Sequence, residues 1–217
     1  MTYSILARDP KSGAIGAAAA TGSLCVGGWV IRGDLQAGMS ASQGAKPSTM
    51  WGEDVLSQMA AGSSATSAVN TVTSVDSGAA FRQLAALDLS GKGAVHTGNK
   101  NGLARGSVIE DNIVVCGNLL SDTTVLDAMI DAFKASTKSF EERLITSLFA
   151  AEQSGGDSRG LQSAALLVYK PDSPVITLRI DYHNSPLIAL QSLYEKHCDP
   201  DYQAWRNTLP TSEHPER

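Results

Sequence analysis

Tyr3-Ser4-Ile5-Leu6-Ala7-Arg8-Asp9-Pro10-Lys11-Ser12-Gly13-Ala14-Ile15-Gly16-Ala17-Ala18-Ala19-Ala20-Thr21 decides the fold. From Tyr3 to Asp9, Tyr3, Ile5 and Ala7 fall on one face and Ser4, Leu6 and Arg8 on the other, the period of a strand. Asp9 to Gly13 is a turn, in which Pro10 fixes φ and Gly13 admits φ > 0. Ile15 to Thr21 returns as a second strand made largely of alanine. A strand of such short side chains needs close neighbours on both faces. This N-terminal hairpin is therefore the middle of something layered.

The rest of the chain supplies the layers. Val26 to Ile31 and Gln36 to Gln43 read as a third and a fourth strand. Trp51, Val55, Leu56 and Met59 recur at helical spacing up to Gly62, and Ala65 to Val75 continues as helix. Phe81 to Asp88 and Gly93 to Thr97 form a hairpin about Leu89-Ser90-Gly91-Lys92. A polar loop over residues 98–107 leads to a strand over Val108 to Cys116. Two helices follow. The first carries Val125, Leu126, Met129, Ile130 and Phe133 on one face, and the second opens on the capping box Ser139-x-x-Glu142. Gln162 to Tyr169 and Val175 to Asp181 make another hairpin, and Ser185-Pro186 starts a helix running to His197. Hairpins in place of βαβ crossovers predict an α+β protein with mainly antiparallel sheets and segregated helices. Two sheets face to face, covered outside by helices, would bury the alanine strand on both faces. One domain over 1–197 and a polar tail over 198–217 is the expected organisation.

Composition narrows the function classes. Ala, Ser and Gly number 28, 25 and 20 of 217 residues, about a third of the chain, and aromatics are 6%. No apolar stretch approaches the ~18 residues of a membrane span, and the start has no basic and apolar leader pattern. A net charge of −5 without a basic block argues against nucleic acid. Cys25, Cys116 and Cys198 are odd in number and lack CxxC spacing, which predicts reduced, mostly buried thiols in a cytoplasmic protein. Asp157, His96, His183 and His197 lack ligand spacing, so neither a metal nor another cofactor is expected. Exposed apolar helices and hairpins predict a homo-oligomer, and the low aromatic content points to a small polar substrate.

Several motifs, in order, carry a resemblance. They are Tyr3-Ser4-Ile5-x-Ala7-Arg8-Asp9-Pro10-x-x-Gly13-x-x-Gly16, His96-Thr97-Gly98, Gly117-Asn118-Leu119-Leu120, and Gly155-Gly156-Asp157-x-Arg159-Gly160-x-Gln162-Ser163-Ala164-Ala165. Over residues 1–197 the chain resembles DUF1028, a bacterial and archaeal family of unassigned function. The family is similar to the N-terminal-nucleophile (Ntn) hydrolases. That likeness implies a four-layer αββα sandwich. Two segments depart from the family pattern, Thr21-Gly22-Ser23-Leu24-Cys25 and Lys46-Pro47, so substrate preference does not carry over.

The resemblance implies a chemistry and gives Thr2 a role. An Ntn enzyme attacks with the side chain of its first mature residue and uses that residue's α-amine as base, whose ordinary pKa of about 7.7–8.0 suits the task. Removal of Met1 would expose Thr2 as the nucleophile; the competing reading is a strand residue retained behind Met1. Ser4, on the same strand face, either lines the same pocket or bonds to backbone. Asp157 and Arg159 either clamp an anionic or carboxylate group with the surrounding glycines or pin a tight loop. Gln162 enters a buried strand and needs a partner. His96 either acts on an oxyanion or as acid/base, or is a structural histidine bonded to backbone. Gln43-Gly44 and Gly117-Asn118, at strand ends, are candidate oxyanion-hole donors. The expected function is hydrolysis of a small amide, with Thr2, Ser4, His96 and Asn118 catalytic and Gln43, Asp157, Arg159 and Gln162 binding substrate. The alternatives are a non-catalytic small-molecule binder on the same scaffold and a hydrolase built on Asp157 and His96.

Overall fold

The structure is a computed structural model and describes residues 2–156 and 159–217. β1 (Thr2–Arg8) and β2 (Ile15–Thr21) form the expected hairpin. The Asp9 carboxylate closes it by accepting from the Lys11 and Ser12 amides, and Gly13 takes φ 75°. The segment read as a third strand is instead a single helical turn, α1 (Val26–Trp29), followed by β3 (Ile31–Asp34). Its glycines explain the difference, because a Cβ on Gly27 would stand 2.7 Å from Ala165 Cβ and 2.8 Å from Arg179 Cγ. Only a bare backbone can press into that space, and it does so as a turn begun by Cys25 at φ 60°.

β4 (Gly38–Gly44), α2 (Thr49–Ala60), α3 (Ala65–Ser74), β5 (Arg82–Asp88) and β6 (Gly93–Thr97) follow as the sequence predicts, within a few residues. The predicted strand over 108–116 proves to be a hairpin of its own, β7 (Gly106–Glu110) and β8 (Ile113–Asn118). Asn112 turns the chain at φ 67°, a left-handed conformation that asparagine tolerates better than most residues. Its carbonyl accepts the Arg8 amide at 2.9 Å, locking the turn to the end of β1.

α4 (Thr124–Ala135) and α5 (Phe140–Gln153) come next, the latter with the predicted capping box formed. β9 (Ser163–Tyr169), β10 (Ile176–Ile180) and α6 (Pro186–His197) complete the sandwich. Ser185 precedes α6 as expected, but its hydroxyl makes no cap bond; its amide donates to His183 Nδ1 at 2.9 Å. The polar segment beyond Cys198 contains a helix not read from the sequence, α7 (Pro200–Arg206), capped by Asp199. Its Arg206 is buried, with donors to Pro174 O and Ser173 Oγ in the β9–β10 turn.

The strands make two sheets, ordered β10-β9-β2-β1-β8-β7 and β3-β4-β5-β6, and every pairing among the described residues is antiparallel. Leu6, Ile15, Ala17, Ala19, Met39 and Val114 pack between the sheets. Tyr3, Ile5, Met129, Phe133 and Leu148 pack the six-stranded sheet against the α4–α6 layer. Trp51, Val55, Val69 and Leu84 pack the other sheet against α2 and α3. The order of layers is helix, sheet, sheet, helix, an α+β sandwich. Ala17 to Ala20 are fully buried, alternating between the inner and outer cores. Among the described residues no helix is long and apolar enough to cross a membrane.

Candidate functional site

β1 brings Thr2 to one end of the sandwich, directly between Thr21 of β2 and Asn118 of β8. Residues opposed across antiparallel strands share a face, so Thr21, Thr2 and Asn118 form a polar row at the strand ends. Ser4 and Cys116, likewise opposed, lie one step further in. The Thr2 and Thr21 hydroxyls are 3.1 Å apart.

The facing sheet answers with two glutamines, Gln43 of β4 opposed to Gln83 of β5. Gln43 Oε1 accepts from Ser4 Oγ at 3.0 Å, and its Nε2 donates to Thr2 O at 3.3 Å and to Gln83 Oε1 at 2.7 Å. Gln83 Nε2 in turn reaches Thr97 Oγ1 at 2.9 Å, Gly106 O at 3.0 Å and Gly117 O at 3.1 Å. A chain of amides thus crosses the inter-sheet gap beneath Thr2 and ties it to both flanks. Both glutamines are almost wholly buried, and the network meets the rule that buried polar groups find partners.

Asn118 breaks that rule. Its side chain is 1% exposed, yet neither its Nδ2 nor its Oδ1 has a hydrogen-bond partner. An unpaired buried carboxamide costs about 1–3 kcal/mol, and this one stands across the strand pair from Thr2. Leu119, which follows it, is held in the left-handed region at φ 56°, with its amide donating to Asn101 O at 3.0 Å.

A cavity of about 420 Å³ opens over Thr2, Thr21 and Gln43. Ser23, Leu24, Trp29 and Pro47 are among its other lining residues. Beside it the strand end of β4 is held by Asn101, whose Oδ1 accepts the Ala45 amide at 2.8 Å. The Asn101 amide donates to Arg82 O and Gly98 O, both at 2.9 Å. Cys116, below the row, is a poor nucleophile, since burial pushes its thiol up to about 12 against the hydrogen bond it shares with Ser4. Of the three free cysteines only Cys116 is fully buried; Cys25 is half-buried and Cys198 exposed, in contrast to the expectation of mostly buried thiols.

Of the residues singled out from the sequence, the fold brings Thr2, Ser4, Gln43 and Asn118 together. Ser4 is fully buried and spends its hydroxyl on Gln43, so it supports the site from below. Both ends of the Gln43 carboxamide are likewise engaged within the protein. His96 is elsewhere. It shares the helix-facing side of the four-stranded sheet with its cross-strand partner Leu84 of β5, bonds Ala79 O at 3.1 Å and meets the Trp51 ring edge-on at 5.7 Å, which is the structural-histidine alternative. Gln162 acts through its backbone, its amide donating to Thr21 O and its carbonyl accepting from His183, both at 2.9 Å. Arg159 lines a separate cleft of about 430 Å³ with Leu103, Leu119 and Ser121. Asp157 lies outside the described residues, as does Met1.

Thr21, Gln83, Asn101 and Trp29 were not picked out from the sequence. Thr21 could have been, because a hairpin turning at Asp9–Gly13 places it opposite Thr2. The others join the site only through pairing of distant segments. Among the described residues no group of three or more His, Cys, Asp or Glu side chains converges as a metal site.

Comparison with known proteins gives a consistent neighbourhood. The model of a family of unknown function, DUF1028, matches residues 2–190. A crystal structure of a DUF1028 protein from Silicibacter pomeroyi is 56% identical and superposes with a TM-score of 0.96, covering 100% of this chain and 98% of that one. No curated protein matches the chain.

Proposed function

The chain belongs to the DUF1028 family, and from the pocket at the head of β1 we propose that it is an N-terminal-nucleophile amidohydrolase acting on a small amide. Removal of Met1 leaves Thr2 with a free α-amine. Thr2 Oγ1 attacks the substrate carbonyl carbon while its proton passes to that amine, and the carbonyl oxygen becomes an oxyanion. Collapse expels the substrate nitrogen, which takes the proton back, and leaves an acyl ester on Thr2. Water, deprotonated by the same amine, then releases the acid. The Thr21 hydroxyl, 3.1 Å from Oγ1, holds the nucleophile in orientation.

The observation that carries the reading is the unpartnered Asn118 carboxamide opposite Thr2. A buried donor kept without a protein partner is what transition-state stabilisation requires, since it gains its bond only when charge develops on the substrate oxygen. In this scheme Gln43 and Gln83 are positioning residues, fixing the Thr2 carbonyl. His96 has no part in it, because it faces the helices.

The test is intact-mass measurement on native protein, followed by labelling with a hydroxyl-reactive electrophile and peptide mapping. The expected result is loss of Met1 and a single adduct on Thr2, absent in Thr2→Ala. Full retention of Met1, or an adduct elsewhere, overturns the mechanism.

A further inference from the structure

We infer that the pocket selects amides whose acyl group is uncharged and apolar, and that Trp29 and Leu24 are its specificity-determining residues. This rests on the assignment of Thr2 as nucleophile and adds to it the class of substrate.

Among the described residues lining the cavity, Thr2, Thr21, Ser23 and Gln43 supply the polar side chains, and none of these side chains is a carboxylate or an ammonium. The cations at its margin are engaged elsewhere. Lys46, between the lining residues Ala45 and Pro47, places its Nζ 4.7 Å from the centroid of the Phe81 ring. Arg32 donates to Gly28 O and Ile31 O, at 2.9 and 3.0 Å. Arg179, packed over Gly27 and Gly28, pairs with Asp181 at 2.9 Å. With the Thr2 α-amine neutral, as its role as base requires, a carboxylate drawn into this cavity would meet no counter-ion among the described residues, and an ammonium would meet no acid. Burying either one unpaired is costly.

Leu24 and Trp29 are 54% and 55% exposed, and both line the cavity. Large apolar side chains left half in water on a pocket wall gain by being covered. The turn that carries Trp29 is also held in place. It is anchored by the Val26 amide on Ser163 Oγ at 3.1 Å and by the Cys25 amide on Asp181 O at 3.0 Å. The turn that presents the indole is thus anchored, a flat or branched acyl group can stack on the ring, and a volume of about 420 Å³ lies in the range of small-molecule sites. The low aromatic content of the chain suggests a polar substrate; one of its three tryptophans stands at the pocket, and that local fact outweighs the average.

The experiment compares two primary amides of similar size, phenylacetamide and the anion succinamate, by calorimetric titration into full-length Thr2→Ala protein at about pH 9, where an α-amine of ordinary pKa is neutral. Phenylacetamide is expected to bind at least about tenfold more tightly. Trp29→Ala should weaken it by about tenfold while Trp29→Phe retains most of the affinity, and Leu24→Arg should narrow the gap by raising affinity for succinamate. Equal or tighter succinamate binding, no binding of either amide, or indifference to Trp29→Ala overturns the inference. Ammonia release by the wild-type protein separates the two claims. Selective binding without any release sinks the hydrolase and leaves the selectivity standing; release that favours succinamate does the reverse.

Discussion

Replacing Gln83 with leucine removes the centre of the amide chain at nearly constant volume. Gln83 accepts from Gln43 Nε2 and donates to Thr97 Oγ1, Gly106 O and Gly117 O. Its two amide protons serve three acceptors, so one bond is shared. Gln43 Nε2 keeps its bond to Thr2 O, and the Thr97 hydroxyl, half-exposed, can turn to water. What is lost outright is two to three buried bonds, with the Gly117 carbonyl and one Gln43 proton left wanting. At about 1 kcal/mol per net bond and somewhat more for each stranded partner, the cost is about 2–4 kcal/mol. For a domain of this size that lowers Tm by about 5–15 °C. Thermal unfolding followed by circular dichroism reads it directly, and urea titration with an unchanged slope would show that the native state is what has changed. Gln83→Glu sharpens the test. It retains the acceptor for Gln43 but turns a carboxylate oxygen toward two carbonyls and should be worse than leucine. A Tm drop below about 2 °C for Gln83→Leu, or a milder effect from glutamate, would refute the network as drawn.

Gly16→Ala should destabilise by about 1–3 kcal/mol in a denaturant titration, because its Cβ would stand 2.8 Å from Leu144 Cδ1 and 3.0 Å from Phe140 Cε1 and Val168 Cγ2; a neutral effect would mean α5 yields more than its packing suggests. Timed alkylation of native protein with peptide mapping should find Cys198 modified first and Cys116 only on unfolding. Because the Cys116 thiol is raised by burial to about 12, the unfolded chain gives up that proton first, and the contribution to stability fades as pH rises from about 9 toward 12. Unfolding midpoints across that range should fall more steeply for the wild type than for Cys116→Ala; parallel curves would refute the assignment.

Much of the sandwich was legible because its signals are local. Alternation, the Asp9–Gly13 turn, the Ser139–Glu142 capping box and Pro186 each act within a few residues. The errors occurred where a distant partner overruled local preference. Val26, Trp29 and Val30 favour a strand, but the docking of Gly27 on Ala165 and Arg179 makes a turn of them. Val108 to Cys116 reads as one apolar run, and Asp111-Asn112 hides a hairpin within it. The site divides in the same way. Thr2 and Ser4 share a face by the period of two, and Asn118 closes a strand. The two readings of His96 stay open in the sequence because alternation separates two faces without saying which one looks at the helices. Gln83 had no signature at all, since an ordinary strand glutamine becomes part of the site only when two sheets meet.

The alanine strand has a consequence for how this protein can change. Ala17 and Ala19 fill the inner face of β2 with single methyl groups, so they act as a gauge block that fixes the distance between the sheets. The Gln43 bonds to Thr2 and Ser4, at 3.3 and 3.0 Å, are drawn across that distance and have little slack. A larger residue on β2 would pry the sheets apart and break those bonds before it enlarged the pocket. New specificities are therefore open chiefly to the segments around residues 22–30 and 44–47, which can be lengthened or rewritten without disturbing the calibrated frame beneath them.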